Sequence, residues 1–214
     1  KQESNLSNIY IGCNKSWVDE NFGTPQFIHI KDGYLVCAYI SEYYALQIAF
    51  DEAESACAYL VTALKIDDNF KIKIDDFTFA DRKNFSNLVL GEFTYYDFPE
   101  KPMSVWGFVT NGSGRYMYSE RYYFISNGGY YDYYLASLDY GTCLENAEFA
   151  FFDEREDIDD EVSAEMISGL QLTNRSEACP NSYGVSDVDS ETFDKLLLNY
   201  SWFNSQQLRN KYHY

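Results

Sequence analysis

Two tyrosine-rich runs on either side of Asn127-Gly128 constrain the fold of this chain more than any other feature. The runs cover residues 115–126 and 129–140. Asn-Gly between two runs of β-forming residues is typical of a β-hairpin with a two-residue loop. The dipeptide therefore predicts that the two runs pair as antiparallel strands.

A two-residue loop also fixes which residues face each other across the hairpin. On one face it pairs Ile125 with Tyr130, Tyr123 with Asp132 and Arg121 with Tyr134, and further along it places Arg115 opposite Tyr140. The other face pairs Phe124 with Tyr131 and Tyr122 with Tyr133. Because side chains alternate along a strand, we expect the face with the arginines to lie outside and the other face to join the core.

Six residues of the expected outer face are candidate ligand-binding residues: Arg115, Arg121, Tyr123, Tyr130, Tyr134 and Tyr140. Guanidinium groups beside phenol rings can hold a flat ligand, such as a nucleobase or a sugar ring, by stacking and cation–π attraction. Cross-strand Arg–Tyr pairs also stabilise an exposed sheet in which nothing is bound. The sequence leaves both interpretations open.

The rest of the chain predicts an α+β domain that is mainly β. The 214 residues include 21 Tyr and 16 Phe, which fit the half-buried surface of a sheet. Apolar runs at 34–40, 43–50 and 56–66 indicate an antiparallel or barrel-like meander, although the Ala-rich run at 52–66 also allows a helix. Further strand candidates are 70–77, 87–98 and 104–110. We expect one domain over residues 1–214.

Helices are expected at the two ends of the domain. A short N-terminal helix is predicted between Gly12 and Gly23, with Ser16 as its cap. Residues 162–170 and 189–203 predict one or two C-terminal helices, the second starting with Ser190 in a capping box. The CPNSYG run at 179–184 between them is expected to be a loop.

The charge of the chain opposes bulk nucleic-acid binding. Acidic residues outnumber basic ones 34 to 16, which gives a net charge of −18. A field of this sign repels polyanions, whose binding needs a basic surface that displaces counterions. The acidic run at 153–161 could offer oxygen ligands to a cation, but it lacks the spacing of a calcium loop, and we expect a solvated segment.

The sequence carries no recognisable catalytic motif and predicts neither an enzyme nor a cofactor. The chain has two histidines, His29 and His213, and the alternating run around His29 is typical of a strand. The five cysteines are scattered rather than clustered as zinc ligands, and Cys37 and Cys57 are expected in the core. Abundant Asp and Glu leave a carboxylate hydrolase as an unsupported third option.

Three segments resemble a family of bacterial proteins that carry a β-rich soluble domain on an N-terminal membrane anchor. They are FGTPQF at 22–27, YYF at 122–124 with NGGY at 127–130, and PNSYG at 180–184. Separately, the spacing of Gly12, Val18, Gly23 and Pro25 resembles an element of small lipoproteins of outer-membrane assembly. Neither resemblance brings catalytic residues with it.

The first resemblance implies a domain trimmed from a longer, membrane-tethered protein, with its only membrane contact through a segment before Lys1. A membrane helix joined to a β-rich sensor is similar in layout to antiphage effectors that respond to a nucleotide or oligonucleotide. We therefore expect a non-enzymatic ligand-sensing domain on the cytoplasmic side, as a monomer or a homo-oligomer. The alternative is an envelope-side module, on the periplasmic side, that binds a protein or a glycan.

Overall fold

The computed structural model describes residues 6, 8–64, 71–74, 88–97, 104–110, 115–126, 129–138 and 179–198. Of these, residues 104–110, 115–118, 123–126, 129–130 and 138 are described by their backbone alone. Eight strands form one antiparallel sheet in the order β1-β2-β3-β4-β8-β7-β6-β5. They are β1 (Phe27–Lys31), β2 (Tyr34–Ile40), β3 (Tyr44–Phe50), β4 (Ala56–Ala63), β5 (Ser104–Thr110), β6 (Arg115–Ser126), β7 (Gly129–Leu138) and β8 (Ser182–Ser186).

This architecture confirms the predicted fold class, an α+β domain that is mainly antiparallel β. The first meander is present as β2, β3 and β4, so the Ala-rich run forms a strand rather than a helix. The predicted strand at 104–110 is β5. Within the described strands β1 and β5 form the two ends of the sheet, and the closure of a barrel is not seen between them.

The largest correction concerns the segment expected to be a loop at 179–184. Its second half begins β8, which pairs with β4 on one side and β7 on the other and joins the two halves of the sheet. All five residues of β8 are buried. The Pro and Asn of CPNSYG suggested a turn, but they lie just before a central strand whose partners come from distant parts of the chain.

Two other strand predictions are wrong over the residues described. Lys73 makes an isolated bridge with Val89, and residues 71–74 form no strand. The segment 88–97 contains turns and a short 3-10 helix, Tyr95–Asp97. Burial of Phe93 and Tyr95 accounts for their apolar character without a strand. The predictions for 153–161 and 162–170 lie outside the described residues.

Of the predicted helices, the N-terminal one and the start of the one at 189–203 are present, with caps other than those predicted. The N-terminal helix α1 (Lys15–Phe22) is capped by Asn14, whose Oδ1 accepts the backbone N–H of Ser16 at 2.9 Å. The C-terminal helix α2 (Ser190–Phe193) is capped by Asp189, which accepts the N–H of Thr192 at 3.0 Å, and it continues as a π-turn (Asp194–Leu198). Residues 199–203 lie outside the described part.

The central strands of the sheet are buried on both faces. One face carries large side chains such as Leu46, Phe50 and Leu135 and packs against α1 through Val18. The opposite face carries smaller residues, among them Ala49, Ala58 and Ala136, and is covered by α2 and the π-turn. Cys37 and Cys57 are buried, one on each side, as predicted.

No helix within the described ranges has the length and hydropathy that crossing a membrane requires.

Candidate ligand-binding site

The hairpin has the register that Asn127-Gly128 predicts. Arg121 lies opposite Tyr134, Tyr123 opposite Asp132 and Ile125 opposite Tyr130. On the other face, Tyr122 pairs with Tyr133 and Phe124 with Tyr131, and the Tyr122–Tyr133 pair belongs to the main core. The division of the hairpin into two faces is therefore confirmed.

The prediction that Tyr134 lies on an open outer face is wrong. Its side chain is only 2% exposed, because the C-terminal helix folds over this face of the sheet. The ring of Phe193 stacks on the ring of Tyr134, with centroids 3.7 Å apart and planes 6° from parallel. One face of the Tyr134 ring is thus occupied, and that face offers no platform for a ligand.

Gly184 gives Phe193 the room to lie so close to the sheet. A Cβ atom on Gly184 would fall 2.8 Å from Phe193 Cζ and 2.9 Å from the backbone oxygen of Tyr59. Real Cβ contacts of that length are essentially absent from proteins. A glycine at this point of β8 therefore sets the position of the C-terminal helix over Tyr134.

A group of polar side chains lies where the hairpin meets the C-terminal helix. Arg121 and Asp132 come from β6 and β7, and Arg121 Nε is 3.8 Å from Asp132 Oδ2. Their side chains are 25% and 14% exposed. Tyr134 belongs to β7 and Asp194 to the first residue of the π-turn. We call Arg121, Asp132, Tyr134 and Asp194 the junction cluster.

Two donors of the junction cluster are unused within the described part of the chain. Arg121 Nε and Tyr134 Oη are both buried, and neither has a hydrogen-bond partner there. A buried polar group without a partner costs on the order of 1–3 kcal/mol, so such groups are rare in folded proteins. Two of the three buried side-chain atoms that lack a partner in the described part of the chain therefore lie in this one cluster.

The carboxylates of the cluster hold protons more tightly than usual. Burial raises the pKa of Asp194 to about 6, and the nearby Arg121 opposes this shift. Burial also raises the pKa of Asp132, again opposed by Arg121. For Tyr134, burial raises the pKa of the phenol, and the charges of Asp132 and Asp194 raise it further. The phenol therefore remains a hydrogen-bond donor at any physiological pH.

The cluster offers donors and acceptors side by side. Arg121 and Tyr134 can donate, and the two carboxylates can accept. With both carboxylates ionised the cluster carries a net charge of −1, and it becomes neutral when one of them is protonated. Such a set suits a neutral or cationic ligand with its own donors and acceptors better than it suits a bare phosphate.

The remaining predicted site residues are placed only in part. Arg115, Tyr123 and Tyr130 lie in β6 and β7, with only their backbone described, and Tyr140 lies outside the described residues. The structure brings Arg121 and Tyr134 together across the hairpin. Sequence reasoning missed Asp194 and Phe193 because it had no signal that residues 190–198 cover the hairpin. It noted Asp132 in the register without assigning it to the site.

A third carboxyl group, which is fully buried, lies on the main-core face of the hairpin. Glu120 is fully buried and accepts a hydrogen bond from the hydroxyl of Tyr122. The hydroxyl of Tyr95 is 3.0 Å from Ser137 Oγ, which in turn donates to the backbone oxygen of Cys179 at 2.7 Å. These groups are paired, and we regard them as structural.

The structure offers no metal site in its described part, since no three His, Cys, Asp or Glu side chains lie close enough there to share an ion.

Comparison with known proteins gives little. No protein-family model and no curated protein matches this chain. Among solved structures, a cysteine-rich secretory protein from Staphylococcus aureus is similar with a TM-score of 0.37 at 10% sequence identity. The match covers 86% of this chain and 44% of that protein, so the chain spans less than half of its length. A similarity of this extent carries no argument about fold or function.

Proposed function

We propose that this chain is the non-enzymatic ligand-sensing domain of a membrane-anchored bacterial effector, and that the ligand binds at the junction cluster. The observation that carries the proposal is that two buried donors, Arg121 Nε and Tyr134 Oη, have no hydrogen-bond partner among the described residues and lie next to two carboxylates. The proposal places the domain on the cytoplasmic side of the membrane.

The ligand that fits this chemistry is a nucleotide-like molecule that is read through its base. The edge of a nucleobase presents hydrogen-bond donors and acceptors together, as the cluster does. Arg121 can donate to ring nitrogen or carbonyl acceptors, and Asp132 or Asp194 can accept from amino and imino groups. The phosphates of the ligand would then point away from the carboxylates.

The C-terminal helix gives such a site a means of reporting that it is occupied. Asp194 belongs to the cluster and directly follows Phe193, which stacks on Tyr134. π-turns within helices are uncommon and occur often at functional sites. A ligand that bonds to Asp194 or displaces Phe193 would therefore shift the helix relative to the sheet.

The test is a binding screen of mononucleotides, cyclic nucleotides and short oligonucleotides at low salt, read by thermal shift and then by calorimetry. We expect at least one compound to bind, and Arg121→Gln to weaken its binding about tenfold to a hundredfold, the range for a lost charged hydrogen bond. Lys71→Gln removes one positive charge at the exposed Lys71–Glu92 ion pair and should leave the binding unchanged.

No shift with any compound would count against a nucleotide-like ligand. Binding that Arg121→Gln leaves unaltered would place the ligand elsewhere on the domain. The two results separate the identity of the ligand from the position of its site.

A second candidate function is an envelope-side module that binds a protein or a glycan. It is favoured by the aromatic side chains Tyr10 and Tyr96, which are 60% and 69% exposed. Exposed aromatic rings are common in surfaces that recognise sugars and proteins. Protease protection of the tethered protein in intact cells separates the candidates, because the sensor proposal requires that the domain be shielded from external protease.

A further inference from the structure

Along the edge of β1 that faces away from β2, two exposed isoleucines lie one on each side of His29. β1 (Phe27–Lys31) ends the sheet, and within the described strands it pairs with β2 alone. Its two isoleucines, Ile28 and Ile30, are 59% and 74% exposed. Proteins commonly protect such an end strand with charged side chains, and an apolar one invites pairing with another chain.

The loop between β1 and β2 fixes which backbone groups point outward. It has two residues, Asp32 and Gly33, both with positive φ (51° and 86°), as in a type I′ hairpin. In such a hairpin the pair next to the loop, here Lys31 and Tyr34, is hydrogen-bonded. Going away from the loop, pairs without hydrogen bonds then alternate with pairs that have them. Lys31 and His29 therefore direct their N–H and C=O groups to β2, whereas Ile28 and Ile30 direct theirs away from the sheet.

We infer that β1 is a homodimerisation strand, and that its partner is β1 of a second copy, antiparallel to it about a twofold axis at His29. In this register Ile28 lies opposite Ile30 of the second copy and Ile30 opposite its Ile28. All four outward backbone groups of the two isoleucines are then paired, and no residue of the loop is drawn into the strand. A twofold contact of this kind must match itself, and the spacing of the two isoleucines about His29 does so.

Charge also favours this edge for a contact between two copies. The whole chain carries a net charge of −18, so most surfaces of two copies repel each other. The stretch from Gly23 to Lys31 contains no Asp or Glu, and it includes Lys31 and His29. Association through β1 therefore brings together a part of the molecule that carries no acidic side chain.

Cross-linking tests the register directly. In this register His29 lies opposite His29 of the second copy, in a non-hydrogen-bonded pair. The Cα atoms of such a pair lie about 4.5 Å apart, a distance that a disulfide can span. We expect His29→Cys to form a covalent dimer under mild oxidation. Thr24→Cys, an exposed position outside the strand, is the matched control for random collisions, and it should not form one.

Sedimentation of charge variants gives a second test. Ile28→Lys and Ile30→Glu should each weaken dimerisation about tenfold, since each removes both symmetric Ile–Ile pairs. Combining the two substitutions places the introduced ammonium group of one copy opposite the introduced carboxylate of the other, and dimerisation should recover. Both positions are exposed, so we expect the variants to fold as the wild-type chain does.

Amide exchange completes the test by showing what covers the edge. The amides of Ile28 and Ile30 should become protected as protein concentration rises, while those of His29 and Lys31 stay protected throughout. A monomer at all concentrations, whether these two amides exchange fast or slowly, would overturn the inference. Slow exchange in a monomer would assign the edge to another segment of the same chain.

Discussion

Asp194 is the residue whose environment has the clearest consequence for the whole domain. Its carboxyl group is partly buried beside Arg121, and burial raises its pKa to about 6. An acid with a raised pKa binds its proton more tightly in the folded chain than in the unfolded one. The folded state is therefore favoured at low pH, and this contribution is lost as the pH rises through about 6.

This predicts that Asp194→Asn stabilises the protein at pH 7 by on the order of 1 kcal/mol and has little effect near pH 4. The free energy of unfolding, measured with urea across this range, checks the prediction. Glu52→Gln, at an exposed position, removes one carboxylate far from the cluster and is the control. Equal effects of Asp194→Asn at both pH values would contradict the assignment of the raised pKa to Asp194.

At the same scale, sequence reasoning placed Arg121 and Tyr134 correctly against each other but misjudged what surrounds them. Pairing follows from the loop between two strands, which is local and carries a strong signal. The burial of Tyr134 depends on Phe193, which lies much further along the chain, and no local pattern records that contact. That Tyr134 Oη has no hydrogen-bond partner among the described residues is seen only once the hairpin and the C-terminal helix are both in place.

Among the elements, the C-terminal helix and β8 depend on each other most closely. Gly184 in β8 leaves the space that Phe193 fills, and Asp189 caps the helix directly after the strand. The helix is short, so its own backbone contributes little stability and its position must come from this packing.

Gly184→Ala is therefore expected to destabilise the domain by about 1–3 kcal/mol, the usual cost of overpacking, because Phe193 or the backbone at Tyr59 must move. Thermal or urea unfolding measures the effect. Adding Phe193→Leu should recover part of the loss, so the double variant should be more stable than the sum of the two single changes implies. Strict additivity would show that Phe193 does not rest on Gly184.

The β1–β2 hairpin could also have been predicted from the sequence. Asp32-Gly33 between two apolar runs predicts a two-residue hairpin loop, as Asn127-Gly128 does. Both loop residues adopt the positive φ that this dipeptide favours. β8 is the opposite case. Its pairing with β4 and β7 joins residues far apart in sequence, and the preceding Pro and Asn favoured a loop.

On the scale of the whole molecule, the antiparallel β-rich class followed from composition and from short apolar runs, and the structure confirms it. The order of the strands did not follow, because β8 inserts between β4 and β7 after a long stretch of intervening chain. Side chains cover both faces of the central strands, and the predicted outer face of the hairpin is an interface with the C-terminal helix.

The global charge and the junction cluster together limit how a nucleotide-like ligand can bind. A net charge of −18 and a cluster with two carboxylates both oppose recognition through phosphates. Recognition through a base needs only a few short-range hydrogen bonds, which the cluster can supply. The proposed sensor is therefore expected to prefer small ligands to long polyanions.

The central claim is that the buried Nε–H group of Arg121 donates a hydrogen bond to a ligand, and the Nε–H resonance of Arg121 in a nitrogen-15 NMR spectrum tests it most directly. The resonance is assigned by its loss in Arg121→Lys and is followed while the nucleotide panel is added to the full chain. The account predicts a saturable shift with at least one compound, at the concentrations where thermal stability also rises. A resonance that stays in place while a compound stabilises the protein would contradict it.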